Sequence, residues 1–129
     1  MVLSQLYIAE TENKGRGVFT SKAIKAGTII ETSPVVVMTR TEHLILKNTL
    51  LRNYVFEWDP PGRPKMCCLA MGWIELYNHS YESNSEHHMD YKNTSVFIQT
   101  VRDIKAGEEI TINYNGKWDN KFLVWFDRE

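Results

Sequence analysis

A chain of 129 residues, 43% hydrophobic and 12% aromatic, can bury one core, which excludes a disordered chain and predicts a single domain over residues 1–129. Its 15 basic and 16 acidic residues leave a net charge of −1, so no basic excess exists to neutralise a phosphate backbone, and direct nucleic-acid binding is not expected. Apolar runs such as residues 34–38 are too short for a bilayer, and Met1-Val2-Leu3-Ser4-Gln5 lacks the basic and apolar stretches of a secretion signal, so neither membrane nor export is expected.

Residues 6–10 alternate and are rich in β-formers, predicting a strand; the polar, glycine-containing residues 11–17 predict a turn, and residues 18–20 a second short strand. Residues 28–31 and 35–38 are two further β-rich runs. Ser33-Pro34 stands between them, and proline cannot donate to a ladder, so an edge or bend is expected there. Leu44, Leu46, Leu50 and Leu51 among charged residues predict a short helix within 41–52, with Thr41 as its N-cap. Residues 54–58 read as a strand or extended segment, residues 59–65 as a proline-rich loop, and residues 66–70 as buried. Residues 39–70 as a whole read as a variable insert. The only two cysteines, Cys67 and Cys68, are neighbours, which rarely bridge each other; they read as small buried apolar residues in a reducing compartment. Residues 96–101 alternate as a half-buried strand does.

Two features repeat or cluster. Ile24-Lys25-Ala26-Gly27 is echoed by Ile104-Lys105-Ala106-Gly107, each just before a β-rich run, which predicts two similar hairpin units with glycine supplying a positive φ. In the C-terminal tail, residues 115–129, the spacing of Trp118, Phe122, Trp125 and Phe126 fits one face of a helix, which would pack on the core, cover a site or meet a second copy.

Four constellations could carry chemistry. Gly15-Arg16-Gly17-Val18-Phe19 lets backbone approach a ligand closely, but it lacks the third glycine and the βαβ context of a dinucleotide site and the Lys-Ser/Thr ending of a phosphate loop. Asn78-His79-Ser80 follows an apolar lead-in, Leu76-Tyr77, which predicts a partly buried Asn78 whose amide needs partners. His79, His87 and His88 lie near Glu82, Glu86 and Asp90 without metal-site spacing, so a solvated polar loop is expected and no metal. Tyr114 closes the strand-like run Glu109-Ile110-Thr111-Ile112-Asn113.

Taken in order, these segments closely resemble the SET domain of protein lysine methyltransferases. The resemblance runs from Gly15-Arg16-Gly17-Val18-Phe19 and Ile24-Lys25-Ala26-Gly27 through Tyr54-Val55-Phe56, Ala70-Met71-Gly72 and Asn78-His79-Ser80 with Asn84, to Gly107-Glu108-Glu109-Ile110-Thr111-Ile112-Asn113-Tyr114. The compact length is similar to that of stand-alone viral and bacterial members, which implies a homodimer and either the cytoplasm or, for a viral or delivered protein, a host nucleus. The chain departs from the common pattern at Arg16, Ser83 and Asn115, where relatives often carry an aromatic, a proline and a glycine.

What the resemblance implies is a mostly β fold of small curved sheets and short helices, with a C-terminal segment threaded beneath a loop. It implies S-adenosylmethionine as methyl donor and a lysine amine of a protein or peptide, such as a histone tail, as acceptor. Arg16, Gly17, Val18, Asn78, His79, Tyr114 and Trp118 are then expected to meet the donor, with Tyr114 as the active-site tyrosine. Methyl transfer from a sulfonium needs a neutral amine in line with the S–CH3 bond, and an aromatic channel favours that form by desolvation. Tyr54, Phe56, Trp58 and Tyr91 are the candidates to line it. The rival reading is a catalytically silent module of the same fold that binds a peptide or partner.

Overall fold

The structure, a computed structural model, describes residues 1–124. Nine strands dominate it: β1 (Leu6–Glu10), β2 (Arg16–Thr20), β3 (Ile29–Met38), β4 (Val55–Trp58), β5 (Met66–Ala70), β6 (Asn78–His79), β7 (Ser85–Asp90), β8 (Ser95–Thr100) and β9 (Glu109–Ile112). One helix, α1 (Arg40–Leu46), and two 3-10 turns, Leu50–Asn53 and Ile74–Leu76, complete the described elements. Hydrogen bonds link the strands in the order β1-β2-β9-β7-β8-β3-β5-β4, with β6 beside β9. Ile30, Ile74, Ile98, Ile104, Ile110 and Ile112 are buried at the centre with Val18 and Tyr77.

Proline does not interrupt β3 as the sequence predicts. The strand is continuous, and Pro34 marks the place where it changes partner: Ile29 to Pro34 pair with β8, and Val35 to Met38 pair with β5. The missing N–H is tolerated because Pro34 needs only its carbonyl, which accepts from Met71 N at 2.9 Å. A register shift between Ile29 and Glu31 accompanies burial of both Ile30 and Glu31, breaking the usual alternation.

The helix starts earlier and ends sooner than expected. Thr39, not Thr41, is its cap: the Thr39 side chain accepts from Glu42 N, and the Glu42 carboxyl accepts from Thr39 N, a reciprocal capping box. Residues 85–90 form strand β7 rather than a polar loop. Its polar side chains conceal the strand in a composition reading, while β8 supplies six registered partners, from Ser85–Thr100 to Asp90–Ser95.

The echoed units meet each other. Ile24 N donates to Ile104 O at 2.9 Å and Ile104 N to Ile24 O at 2.8 Å, so the two turns close one antiparallel bridge across the core. Gly27 and Gly107 have φ of 82° and 84°, the conformation expected of them.

The described part of the tail is not helical. Asn113 Nδ2 donates to the carbonyls of Trp118 and Asn120, Asn115 Nδ2 donates to that of Phe122, and Asn120 Oδ1 accepts from Phe122 N. Three asparagines thus occupy the main-chain groups a helix would use. Trp118 and Phe122 therefore share no helical face, and Trp125 and Phe126 lie outside the described residues.

Candidate active site

The site is assembled where β9 passes between its neighbours. Asn78 and His79 of β6 run parallel to Thr111 and Ile112, while Ser85 of β7 also registers with Ile112. Residues 80–84 therefore arch across β9, and the chain beyond it returns beneath them, with Ser83 N donating to Trp118 O at 3.1 Å. Asn84, 1% exposed, holds the crossing: its Nδ2 donates to Glu109 O at 2.8 Å and its Oδ1 accepts from Thr111 N at 3.0 Å. A carboxamide suits this position because it offers both donor and acceptor to a strand whose polar groups are being buried.

This crossing brings Tyr114 against His79 and Tyr77, with Asn78 lining the same cleft. His79 Nδ1 accepts from Tyr114 N at 3.0 Å, and the two rings stand 5.1 Å apart. On the other face of His79 the Tyr81 ring packs edge-on at 4.4 Å. The imidazole is thereby a buried positioning group for the tyrosine. Asn78 Nδ2 donates to Glu109 Oε2 at 2.8 Å and to Arg16 O at 3.1 Å, tying β2 to β9. Gly17 is required beneath it, since a Cβ there would stand 2.5 Å from Glu109 Oε2 and 2.9 Å from Asn78 Nδ2.

The Tyr114 hydroxyl donates to Tyr77 O at 3.0 Å. Burial, with Glu75, Glu109 and Tyr54 adding negative charge nearby, pushes its pKa up to about 12, so it remains a protonated donor at neutral pH. Tyr77 is itself fixed from behind by Glu31. Both Glu31 oxygens are used, Oε1 by the Tyr77 hydroxyl at 2.8 Å and Oε2 by Ser33 Oγ at 2.7 Å and Trp73 N at 2.8 Å. A buried polar side chain in β3 thus sets the segment carrying the tyrosine's acceptor.

In front of Tyr114 lies a cleft of about 830 Å³. It is lined by Arg16, Tyr54, Phe56, Asn78, Tyr91 and Tyr114 among the residues expected from the sequence. The others stand elsewhere. Gly17 and Val18 lie in β2 behind the cleft, with Val18 fully buried and registered with both Ile8 and Ile110. His79 supports Tyr114 from inside. Trp58, 4% exposed, packs edge-on against Tyr91 at 4.7 Å and so buttresses the wall without lining it. Trp118 does not line the cleft either; its N–H donates to Glu86 Oε2 at 2.8 Å.

Among the other lining residues are Glu75, which the sequence did not single out, and His87, which it placed in a solvated polar loop. Each has a buried side-chain atom without a hydrogen-bond partner, Glu75 Oε1 and His87 Nδ1. Burial raises the Glu75 carboxyl to about 8, against a backbone hydrogen bond from Ala70 that lowers it. Burial, helped by neighbouring His88, lowers the His87 imidazole to about 4, so it is neutral at pH 7. Its ring packs on Phe56 at 4.9 Å. The one signal for Glu75 was a lone carboxylate among apolar neighbours, Ile74 and Leu76-Tyr77; His87 was hidden by its polar surroundings. Among the described residues no group of three or more His, Cys, Asp or Glu is placed to hold a metal ion.

A cleft lined by aromatic side chains, with a protonated tyrosine hydroxyl bonded to a main-chain carbonyl, can desolvate and orient a cationic or amine-bearing side chain. Comparison with known proteins is consistent with such chemistry. The family described as SET domain matches residues 15–115. A Schizosaccharomyces pombe histone-lysine N-methyltransferase, specific for lysine 37 of histone H3, is 33% identical over 130 aligned residues, covering 100% of this chain and 82% of the relative. A crystal structure of a candidate histone methyltransferase from Plasmodium falciparum superposes with a TM-score of 0.68 at 30% identity, over 91% of this chain and 98% of that one.

Proposed function

Because this chain belongs to the SET-domain family and is a protein-lysine methyltransferase, we propose that it draws its methyl group from S-adenosylmethionine and delivers it to a lysine of a histone H3 tail. The observation that carries the reading is the Tyr114 hydroxyl, held 3.0 Å from the Tyr77 carbonyl in a cleft also lined by Tyr54, Phe56 and Tyr91. The relative that acts on lysine 37 of histone H3 supports the choice of tail.

The residues present suit the donor. Lys14, Arg16 and Asn78 all line the cleft, Lys14 Nζ donating to His79 O at 3.4 Å and Asn78 Nδ2 to Arg16 O at 3.1 Å, so two basic residues and a carboxamide are available to hold the donor's amino-acid end. When bound, the donor supplies an electrophilic methyl group on a sulfonium. Everything else falls to the chain. Tyr54, Phe56 and Tyr91 exclude water from the entering lysine, and Tyr114 with the Tyr77 carbonyl aligns its nitrogen. Alignment and desolvation of this kind account for much of the acceleration of a transfer in which the enzyme forms no covalent bond.

Incubation of the chain with labelled S-adenosylmethionine and core histones, followed by mass spectrometry, tests the reading. Methylation at an H3 lysine is expected; absence of label from every histone lysine refutes it. We also propose a homodimer. Phe122 and Leu123, which line the cleft, are 64% and 51% exposed, and this is apolar surface that a second copy would cover. Light scattering giving the monomer mass at micromolar concentration would refute that assembly.

A further inference from the structure

We propose that Glu75 is the cation receptor of the cleft: its buried Oε1 receives the ammonium of the incoming lysine and keeps the lysine's proton while the amine is methylated. The inference rests on the methyltransferase reading and assigns a role that the family resemblance does not contain.

Three observations carry it. First, three acidic side chains line the cleft among the described residues, Glu57, Asp59 and Glu75, and the first two are exposed. Only Glu75 can meet a ligand that has already left water. Second, Glu75 Oε1 is buried and has no hydrogen-bond partner. A buried carboxyl oxygen left without a donor costs free energy that an arriving N–H group removes. Third, Glu75 and Tyr114 line the same cleft, and the Glu75 carboxyl is among the groups that hold the Tyr114 hydroxyl protonated. Receptor and alignment group therefore serve the same amine.

The charges around Glu75 favour this use. Tyr54, Tyr77, Tyr91, Tyr114 and His87 are the other titratable groups, besides the acidic and basic residues, that line the cleft, and Cys68 lies near Glu75. His87 is neutral at pH 7 and places no competing cation there. Lys14, Arg16 and Arg52, the basic lining residues, are exposed to solvent.

The proton balance is closed. The unliganded carboxyl is mostly protonated at pH 7 and loses that proton to water as the ammonium binds. One lysine proton then passes from nitrogen to Oε1. The freed lone pair forms the N–C bond as the C–S bond breaks and its electrons stay on sulfur. The product is a methylammonium and a thioether, and Glu75 is left protonated, as it began; one proton leaves per turn, at the binding of each ammonium. No oxidant or reductant enters.

The test uses the whole chain, Glu75→Gln and Glu75→Asp, with S-adenosylmethionine and a histone H3 tail peptide or core histones. Wild-type kcat/KM for the acceptor should rise with pH and level off near pH 8, reporting the free carboxyl. Glu75→Gln should lose about tenfold or more at pH 7.5, and its rate should climb without an inflection near 8 toward the lysine's own titration at about 10.4. Glu75→Asp should retain the inflection. Donor affinity, measured by calorimetry, should stay within about twofold in both. Calorimetry of peptide binding in buffers of different ionisation heat should show proton release with wild type and little with Glu75→Gln. A wild-type pH profile in Glu75→Gln, or unchanged turnover, overturns this inference and leaves the methyltransferase reading intact. Loss of activity with the inflection preserved also overturns it, as a merely structural role would give. No transfer by the wild-type chain overturns the parent reading and this one with it.

Discussion

Glu31→Ala should damage both stability and the site, although Glu31 does not line the cleft. The substitution removes three hydrogen bonds of 2.7–2.8 Å, to Ser33 Oγ, Trp73 N and the Tyr77 hydroxyl. Ser33 and Tyr77 are 3% and 1% exposed, so water does not readily replace the lost partner. At about 1 kcal/mol for each bond the loss is about 3 kcal/mol, before any void is counted. For a chain of this size that lowers Tm by roughly 10 °C. Tyr77 also presents the carbonyl that receives the Tyr114 hydroxyl, so kcat should fall in the fraction that remains folded. Glu31→Gln is the control. Its oxygen can face Trp73 and Ser33 while its amide donates to the Tyr77 oxygen, so the loss should be about 1 kcal/mol or less. Thermal unfolding followed by circular dichroism reads both variants. If Glu31→Ala melts with the wild type, the strut has been misjudged. If Glu31→Gln falls as far as Glu31→Ala, charge rather than hydrogen-bond geometry is what matters there.

Tyr114→Phe removes only the hydroxyl and should lower turnover at least about tenfold, about 1.4 kcal/mol of barrier, with donor affinity nearly unchanged; full activity would remove Tyr114 from the mechanism. Asn78→Ala should weaken donor binding by about 1–3 kcal/mol in calorimetry. An unchanged affinity would leave Asn78 only its brace between Arg16 and Glu109. The two cysteines should be inert in the folded protein. Both are fully buried, and burial pushes Cys68 up to about 12 and Cys67 above its ordinary value. Iodoacetamide at pH 8 should label neither until denaturant is added, because the thiolate is the reactive form and stays scarce well below the pKa. Rapid labelling of the native chain would contradict the buried placement.

Much of the fold was legible in the sequence because β-rich runs and turn residues are local signals. The strands expected at 6–10, 54–58 and 96–101 appear as Leu6–Glu10, Val55–Trp58 and Ser95–Thr100, and these, the glycine turns and the two free cysteines follow from alternation, from positive φ and from adjacency. The order of Gly15-Arg16-Gly17, Asn78-His79-Ser80 and the Tyr114 run was sufficient to name the chemistry. Tertiary structure decided what local signals cannot carry. Strand β7 exists because β8 pairs with it, whatever its own composition. Pro34 sits inside a strand because the partner changes there and no N–H is needed. The tail is irregular because asparagines 113, 115 and 120 take its main-chain groups. Glu31, Glu75 and His87 acquire their roles from burial, and burial depends on which distant residues surround a side chain. Periodicity places a residue on a face; only the packed chain determines whether water reaches it, and that decides whether a carboxyl is a strut, a receptor or a surface charge.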